Sequence, residues 1–198
     1  MKKILLISTA LLSACASGPS DQEISALALK TMKGSFKERG QAKLDRLDQD
    51  ETQRLCSAAV TKEDASKIEK LNTASLRYPA DGQLMGDWRE GEKIAQSGRG
   101  KQFSDNPTQP AGGNCYACHQ LSKQEISYGT IGPSLYQFGK LRGNTAAVQR
   151  YAYGKVYNPQ AFTACSNMPR FGHNGILTEA QLKHVVALLL DPESPVNK

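Results

Sequence analysis

Cys115-Tyr116-Ala117-Cys118-His119 is a Cys-x-x-Cys-His pentapeptide in a chain of 198 residues. This spacing is the attachment signature of a c-type haem. The two-residue gap puts both thiols on one turn of helix, where each can add to a vinyl group of the haem, and the adjacent imidazole can bind the iron. The motif therefore predicts one covalently bound haem c, attached through Cys115 and Cys118, with His119 as an axial ligand.

Two other uses of such a cysteine pair are a zinc half-site and a thioredoxin-like redox pair. Zinc would need a second pair of ligands at similar short spacing, and a redox pair of this type belongs to a βαβ unit. The sequence contains neither pattern, so the haem interpretation is favoured.

The first residues predict export from the cytoplasm. Two lysines precede the apolar run 4–12, which has the form of a secretory signal and is too short to span a bilayer. Residues 12–15, Leu-Ser-Ala-Cys, resemble the bacterial lipobox, whose cysteine is acylated and becomes the new N-terminus. We therefore expect 1–15 to be a lipoprotein-type signal and the periplasmic protein to be anchored to the membrane through lipidated Cys15. The alternative is ordinary cleavage in the same run of small residues, which would release a soluble periplasmic protein.

The charge of the chain does not indicate nucleic acid. Residues 1–14 hold two lysines and no acid, so the chain without them keeps +4 of its formal net charge of +6. The Lys and Arg residues are scattered rather than grouped into a basic run, and scattered positive charge serves solubility or steering toward an acidic partner. We therefore expect no nucleic-acid partner.

The composition changes at residues 78–82, Tyr-Pro-Ala-Asp-Gly, which form a turn-rich joint. Before the joint, residues 16–77 are rich in Ala and charged residues with apolar residues at helical spacing, which predicts an extension of two or three amphipathic helices. After it, residues 78–198 carry the haem motif. We predict an all-α protein in which a helical N-terminal extension precedes the haem domain.

Apolar spacing predicts two packed stripes in the extension. The first consists of Leu44, Leu47, Leu55 and Ala58. The second follows a capping box of Thr61 with Asp64 and contains Ile68 and Leu71. The extension offers no residues for chemistry of its own.

Two predicted helices bracket the haem domain 78–198. One covers residues 87–96 and has Gly91 on its apolar side, and the other contains the apolar stripe Leu182 to Leu189. Class I cytochromes c cross their N-terminal and C-terminal helices at a small residue, and Gly91 resembles that contact. The resemblance implies a class I cytochrome c fold, whereas two helices that merely share a core would pack in almost the same way.

A third element follows the class I pattern. Gly132-Pro133-Ser134-Leu135 resembles the Gly-Pro-x-Leu of that family, in which the proline carbonyl accepts the Nδ1 hydrogen of the haem histidine. Such a bond fixes the orientation of a metal-bound imidazole. The resemblance implies this role for Pro133, and the alternative is a plain turn with proline at its first corner.

The sixth iron ligand of a class I cytochrome comes from near the C-terminus. Residues 166–172, Ser-Asn-Met-Pro-Arg-Phe-Gly, are the candidate loop, and Met168 is the predicted ligand. His173 is the main rival and would give a bis-His iron of lower potential. The remaining methionines and His184 are expected to be packing or surface residues.

Cys56 and Cys165 are left after the haem and lipid assignments. Two such cysteines in an oxidising compartment are usually a disulfide, and this one would tie the extension to the start of the Met168 loop. The alternatives are two buried thiols or a reactive thiol that takes part in sulfur chemistry.

Several segments, taken together, are more specific than the motifs shared by class I cytochromes in general. They are Tyr78-Pro79-Ala80-Asp81-Gly82, Gly86-Asp87-Trp88, Gly112-Gly113-Asn114-Cys115-Tyr116-Ala117-Cys118-His119-Gln120, Gly129-Thr130-Ile131-Gly132-Pro133-Ser134-Leu135 and Cys165-Ser166-Asn167-Met168-Pro169-Arg170-Phe171-Gly172. Over residues 78–191 they resemble SoxX, the monohaem subunit family of the SoxAX cytochrome complexes.

The resemblance implies a role in thiosulfate oxidation. SoxAX complexes couple thiosulfate oxidatively to a cysteine of a carrier protein, forming a cysteine S-thiosulfonate and passing two electrons to c-type haem. The L-cysteine S-thiosulfotransferase chemistry is assigned to the SoxA-like partner subunit, whose active haem has a cysteine ligand. This chain would receive the electrons in a heterodimer and pass them to a downstream acceptor cytochrome. A lipid anchor at Cys15 would depart from the soluble complexes of the family.

Two other functions remain open from the sequence. A stand-alone periplasmic electron shuttle needs the same haem site but no permanent partner, and a ring of lysines around the haem edge would favour it. An exposed apolar patch there would favour a SoxX-like subunit. An enzyme acting through its own haem or Cys165 would need an open iron or an unpaired thiol.

Overall fold

Helices and turns provide the regular structure of the computed structural model, which describes residues 18–198. The helices are α1 (Asp21–Ser35), α2 (Glu51–Cys56), α3 (Lys62–Ser75), α4 (Trp88–Gln96), α5 (Phe138–Arg142), α6 (Ala146–Tyr157) and α7 (Glu179–Leu190). Short 3₁₀ turns cover Leu44–Leu47, Cys115–Ala117, Pro159–Ala161 and Pro195–Asn197. Apart from one isolated bridge, these described residues contain no strand pairing, which agrees with the predicted all-α class.

The predicted signal 1–15 and the lipidation of Cys15 lie outside the described residues. No helix within residues 18–198 is long and apolar enough to cross a membrane.

Contacts divide the chain into two units, one ending at Phe36 and one covering Lys37–Lys198. The described part of the first unit contains α1, which begins with a capping box between Ser20 and Glu23. None of the α1 residues is buried.

Helices α4 and α7 cross at Gly91. A Cβ atom at this position would collide with the carbonyl oxygen of His184 and would lie 2.9 Å from Cβ of Leu188. Only glycine permits so close an approach, so the predicted helix contact is confirmed. His184 also accepts a hydrogen bond at Nδ1 from the backbone N–H of Asp87, the residue that caps α4, at 2.8 Å.

Helix α7 forms the middle of the hydrophobic core. It begins at the predicted capping box of Thr178 with Gln181, and its apolar residues are buried against α6 and the loop around Phe171. A smaller cluster contains Ala95, Tyr116, Leu121, Leu188 and Val196. Leu135 and Phe138 pack against both clusters, so the segment after the haem motif joins the two parts of the core.

The first predicted stripe of the extension is wrong. Leu44 and Leu47 belong to a 3₁₀ turn, Leu55 lies on the separate helix α2, and Ala58 is exposed. The helical phase is lost because Asp50 starts a new helix by accepting the backbone N–H of Gln53. The second predicted stripe is partly right, since Ile68 is buried behind the capping box of Thr61 and Asp64, whereas Leu71 is 39% exposed.

The part of the predicted extension that runs from Lys37 to Arg77 packs on the haem domain. The compact unit begins at Lys37, whereas composition places a boundary before Tyr78. Buried amides join the two segments: Nδ2 of Asn158 donates to Oδ1 of Asn72 at 2.8 Å, and Nδ2 of Asn72 donates to Oγ1 of Thr52 at 2.9 Å. Polar contacts between distant parts of the chain leave no composition signal, so the sequence pattern could not reveal this packing.

Candidate haem-binding site

The cysteine pair lies on a single tight turn. Asn114 adopts a left-handed conformation with φ of 47°, which asparagine tolerates better than most residues. The backbone N–H groups of Cys118 and His119 then both donate to the carbonyl oxygen of Cys115, at 3.1 and 2.9 Å. Cys115 and Cys118 are partly buried and are not joined to each other. Burial raises the pKa of the Cys115 thiol to about 12, as expected for a thiol that packs against the smaller core cluster.

His119 is held by the predicted proline carbonyl. Its Nδ1 lies 2.7 Å from the carbonyl oxygen of Pro133. Because a carbonyl only accepts hydrogen bonds, Nδ1 is the donor, and in the neutral imidazole this leaves the lone pair on Nε2. The imidazole is therefore oriented and in the tautomer that a metal ligand needs.

Gly132 makes room for the imidazole. A Cβ atom there would collide with Cε1 of His119, and the Gly132 N–H donates to the carbonyl oxygen of Cys118 at 2.8 Å. Glycine is thus required for the approach of this segment to the haem motif, while the following Pro133 supplies the acceptor.

We expect Gly132→Ala to destabilise the haem-loaded protein by about 1–3 kcal/mol, because the added methyl must displace either the imidazole or the backbone. Urea unfolding followed by haem absorbance measures the change. Thr130→Ala, at an exposed neighbouring position, is the control and should stay within about 0.5 kcal/mol of the parent protein. Equal stability of the two variants would contradict this account of Gly132.

The Met168 loop is anchored by the residues that follow it. Met168 is partly buried and packs against the larger core cluster. Arg170 and Phe171 are buried, and the carbonyl oxygen of Phe171 accepts the N–H groups of the two residues before Thr178, at 2.9 and 3.1 Å. His173 is exposed. Of the two candidate sixth ligands, Met168 is the one whose side chain belongs to the packed interior.

Cys56 and Cys165 are joined by a disulfide across a sequence separation of 109 residues. The bond links the last residue of α2 to a position three residues before Met168. Cys165 therefore has no free thiol in this structure, and the sulfur chemistry considered for an unpaired Cys165 has no support here.

The sequence reasoning missed an ion pair beside the same loop. Nη2 of Arg170 lies 2.7 Å from Oδ2 of Asp50, and the Arg170 side chain is only 8% exposed. Partial burial by itself raises the pKa of Asp50. The hydrogen bond from the N–H of Gln53 and the nearby guanidinium of Arg170 together outweigh this effect, so the pKa of Asp50 lies below its usual range. A capping aspartate at the start of a short helix was the available signal, but its arginine partner lies far along the chain.

The described residues give no support to a zinc site or a thioredoxin-like redox pair at Cys115 and Cys118. Within residues 18–198, no group of three or more His, Cys, Asp or Glu side chains could hold a metal ion. A thioredoxin-like pair would need the strands of a βαβ unit, and the described range has none.

Comparison with known proteins identifies the family. The cytochrome c family model matches residues 89–191, which include the haem motif and the Met168 loop. The chain belongs to the cytochrome c family. A relative from Aquifex aeolicus (strain VF5), described as an uncharacterized lipoprotein, is 39% identical over 157 residues, covering 76% of this cytochrome and 73% of the relative.

The site fits the cofactor of this family, a covalently bound haem c, which supplies a one-electron iron couple for electron transfer. The chain of this cytochrome presents two thiols on one turn for covalent attachment. The imidazole of His119 is oriented with Nε2 available as a ligand atom. Apolar Leu135 and Phe138, which pack against both core clusters, provide surroundings suited to a large apolar ring.

Proposed function

We propose that this cytochrome is the SoxX-like, electron-accepting subunit of a SoxAX-type complex that couples thiosulfate to a carrier-protein cysteine. The motif resemblance over residues 78–191 supports the subunit type. The sequence contains a single Cys-x-x-Cys-His motif, which supports one haem. Both sulfur substrates would bind the SoxA-like partner, and this chain would receive the electrons one at a time.

The observation that carries the proposal is an exposed apolar loop beside the haem motif. Ile126 is 97% exposed and Ile131 is 75% exposed. Two hydrogen bonds tie this loop to the motif, from the N–H of Gly129 to the carbonyl oxygen of Tyr116 and from the N–H of Gly132 to that of Cys118, both at 2.8 Å. A contiguous exposed apolar patch is typical of a protein interaction site, and with Tyr128, which is 41% exposed, the loop has three exposed apolar side chains. A second cytochrome bound there would lie next to the attachment point of the haem.

The apolar loop itself carries little positive charge. Between residues 120 and 139 the only lysine is Lys123, and its ammonium lies over the ring of Tyr136 at 5.0 Å. A shuttle that relies on electrostatic steering would be expected to carry several lysines around the haem edge. The apolar loop offers a partner contact area instead.

The axial ligands of the proposed site are His119 and Met168. The hydrogen bond to Pro133 supports His119, and packing of Met168 against the core, with His173 exposed, supports the thioether. Methionine raises the potential relative to a second imidazole, which suits a subunit that accepts electrons. A site with both axial positions filled by the chain would not bind oxygen or peroxide.

We further propose that the cytochrome is periplasmic and held at a membrane by acylation of Cys15. The lipobox-like residues 12–15 support this anchor, and so does the description of the Aquifex aeolicus relative as a lipoprotein. Mass spectrometry of the native N-terminus tests it, because acylation adds lipid mass to Cys15 whereas ordinary cleavage leaves an unmodified peptide.

Co-purification of the tagged native protein from thiosulfate-grown cells tests the SoxX-like assignment. A second cytochrome in fixed ratio, together with haem reduction that depends on thiosulfate and the carrier protein, is the expected result. A cytochrome recovered alone, and reduced only by general electron donors, would favour the stand-alone shuttle.

We expect Ile126→Glu with Ile131→Glu to lower recovery of the second cytochrome by about tenfold or more, because burying two carboxylates in an apolar contact is costly. Leu141→Glu, at a leucine of α5 that is 77% exposed, is the matched control. All variants should keep the parent haem spectrum. Undiminished recovery with the double variant would remove the apolar loop from the interface.

A further inference from the structure

The short helix α2 is bonded to the Met168 loop at both of its ends. Asp50, which caps its first turn, pairs with Arg170 at 2.7 Å. Cys56, its last residue, is disulfide-bonded to Cys165. Met168 therefore lies between two fixed points that belong to the same helix.

The ion pair is a strong constraint on the loop. The guanidinium of Arg170 is almost fully buried, whereas the Asp50 side chain is 43% exposed. Separating them leaves a buried charge without its partner, and such a separation is strongly unfavourable. Asp50 cannot easily follow a moving arginine, because its other carboxylate oxygen accepts the N–H of Gln53 at 2.8 Å.

Helix α2 is itself held by α3. Oγ1 of Thr52 accepts a hydrogen bond from buried Asn72 at 2.9 Å. The ion pair between Glu51 and Lys67 is exposed on both sides, and an exposed pair contributes little to such support. Helix α3 also contacts the chain just before the disulfide, since Oε1 of Glu69 accepts the N–H of Ala164 at 3.2 Å. The support of the Met168 loop is therefore continuous with the folded extension.

We propose that α2 is a positioning device for the distal ligand, which keeps the Met168 thioether in place by holding the loop on both sides of it. Asp50 and the Cys56–Cys165 pair are positioning residues, since they act through the loop. This inference rests on the proposed His119 and Met168 ligation. It gives the N-terminal extension a function within electron transfer: it opposes dissociation of an uncharged ligand whose loss would lower the potential.

The physical basis is preorganisation. A loop that is free to move must be ordered each time its ligand binds, and this loss of conformational freedom opposes binding. A loop already fixed at Cys165 and Arg170 has less freedom to lose, because cross-links act mainly by removing open conformations. Weakening either attachment should raise the fraction of molecules in which Met168 has left the iron.

Imidazole added to the oxidised, haem-loaded full chain reports that fraction, because it binds iron only when Met168 is displaced. Its apparent affinity rises in proportion to the population of the open state. The thioether charge-transfer band of ferric iron gives a second readout. The imidazole affinity and the charge-transfer band are both measured at a temperature far below the midpoint of thermal unfolding. A change in global stability alone would therefore not alter either of them.

Asp50→Asn is the first variant, since asparagine still caps a helix but no longer carries the charge that Arg170 requires. Glu51→Gln is the matched control: it removes a neighbouring carboxylate of α2 whose partner is Lys67 rather than the loop. Cys56→Ser with Cys165→Ser is the second variant. Mild thiol reduction of the parent protein opens the same attachment if the double variant fails to fold.

We expect about a tenfold rise in imidazole affinity for Asp50→Asn and a larger rise when the disulfide is absent, with Glu51→Gln equal to the parent. If Asp50→Asn and the disulfide-free protein both match Glu51→Gln, the positioning role of α2 is wrong while the ligation stands. If the parent protein itself lacks the charge-transfer band, the Met168 ligation fails and the inference fails with it.

Discussion

Replacing Met168, the proposed distal ligand, by alanine is expected to abolish the thioether charge-transfer band of the oxidised protein and to lower the reduction potential by on the order of 0.1–0.2 V. A thioether stabilises iron(II) relative to iron(III) more than imidazole or water does, so its loss removes that preference. Absorption spectra of the oxidised protein and a redox titration measure the two effects. The expected change is large because the proposed axial ligand would act directly on the iron.

His173→Ala is the matched control in the same loop. His173 is exposed, so its removal should leave the charge-transfer band and the potential unchanged. If His173→Ala instead creates an open iron position while Met168→Ala keeps a six-coordinate spectrum, the bis-His alternative is correct and the Met168 assignment is wrong.

Contiguous motifs explain why much of the site could be predicted. The haem cysteines and His119 are neighbours in sequence, so their spacing alone specifies one turn. The role of Pro133 came from resemblance, and the structure adds the reason for its neighbour: Gly132 has no Cβ because the His119 ring occupies that space. The sequence pattern alone cannot show that a side chain at position 132 would collide with the imidazole of His119.

The extension was harder to predict because the arrangement of its helices depends on residues that are distant in sequence. Helical spacing joined Leu47 and Leu55 into one stripe, but the cap at Asp50 separates them into different elements. The partner of Asp50 is Arg170, and the partner of Asn72 is Asn158. A charged or amide side chain carries no indication in sequence of which remote residue it will meet.

Two surfaces of the cytochrome domain therefore have different proposed tasks. The apolar loop with Ile126 and Ile131 is hydrogen-bonded to the haem motif and suits partner docking. The Met168 loop is bonded to α2 of the extension and suits control of the distal ligand. Since the two sets of residues differ, variants in one should leave the other function intact, and combined variants should have additive effects.

Replacing both Cys115 and Cys118 by alanine is expected to abolish covalent haem. In the predicted attachment, the two thioether bonds are the covalent links between the haem and the chain, so the mass of the denatured variant should equal that of the polypeptide alone. The amount of folded protein that is recovered should also fall sharply, because a group that binds only the folded state stabilises that state by mass action. Intact-mass spectrometry and haem staining of denaturing gels measure the loss.

Cys56→Ser with Cys165→Ser is the control for loss of two cysteines. It removes the disulfide but leaves the haem motif, so it should retain the full haem mass whatever its effect on the Met168 loop. Each single variant, Cys115→Ala or Cys118→Ala, keeps one thiol and should carry reduced but detectable covalent haem. A haem mass increment that persists in the Cys115→Ala, Cys118→Ala double variant would contradict attachment at this turn, because no other Cys-x-x-Cys-His motif is present in the sequence.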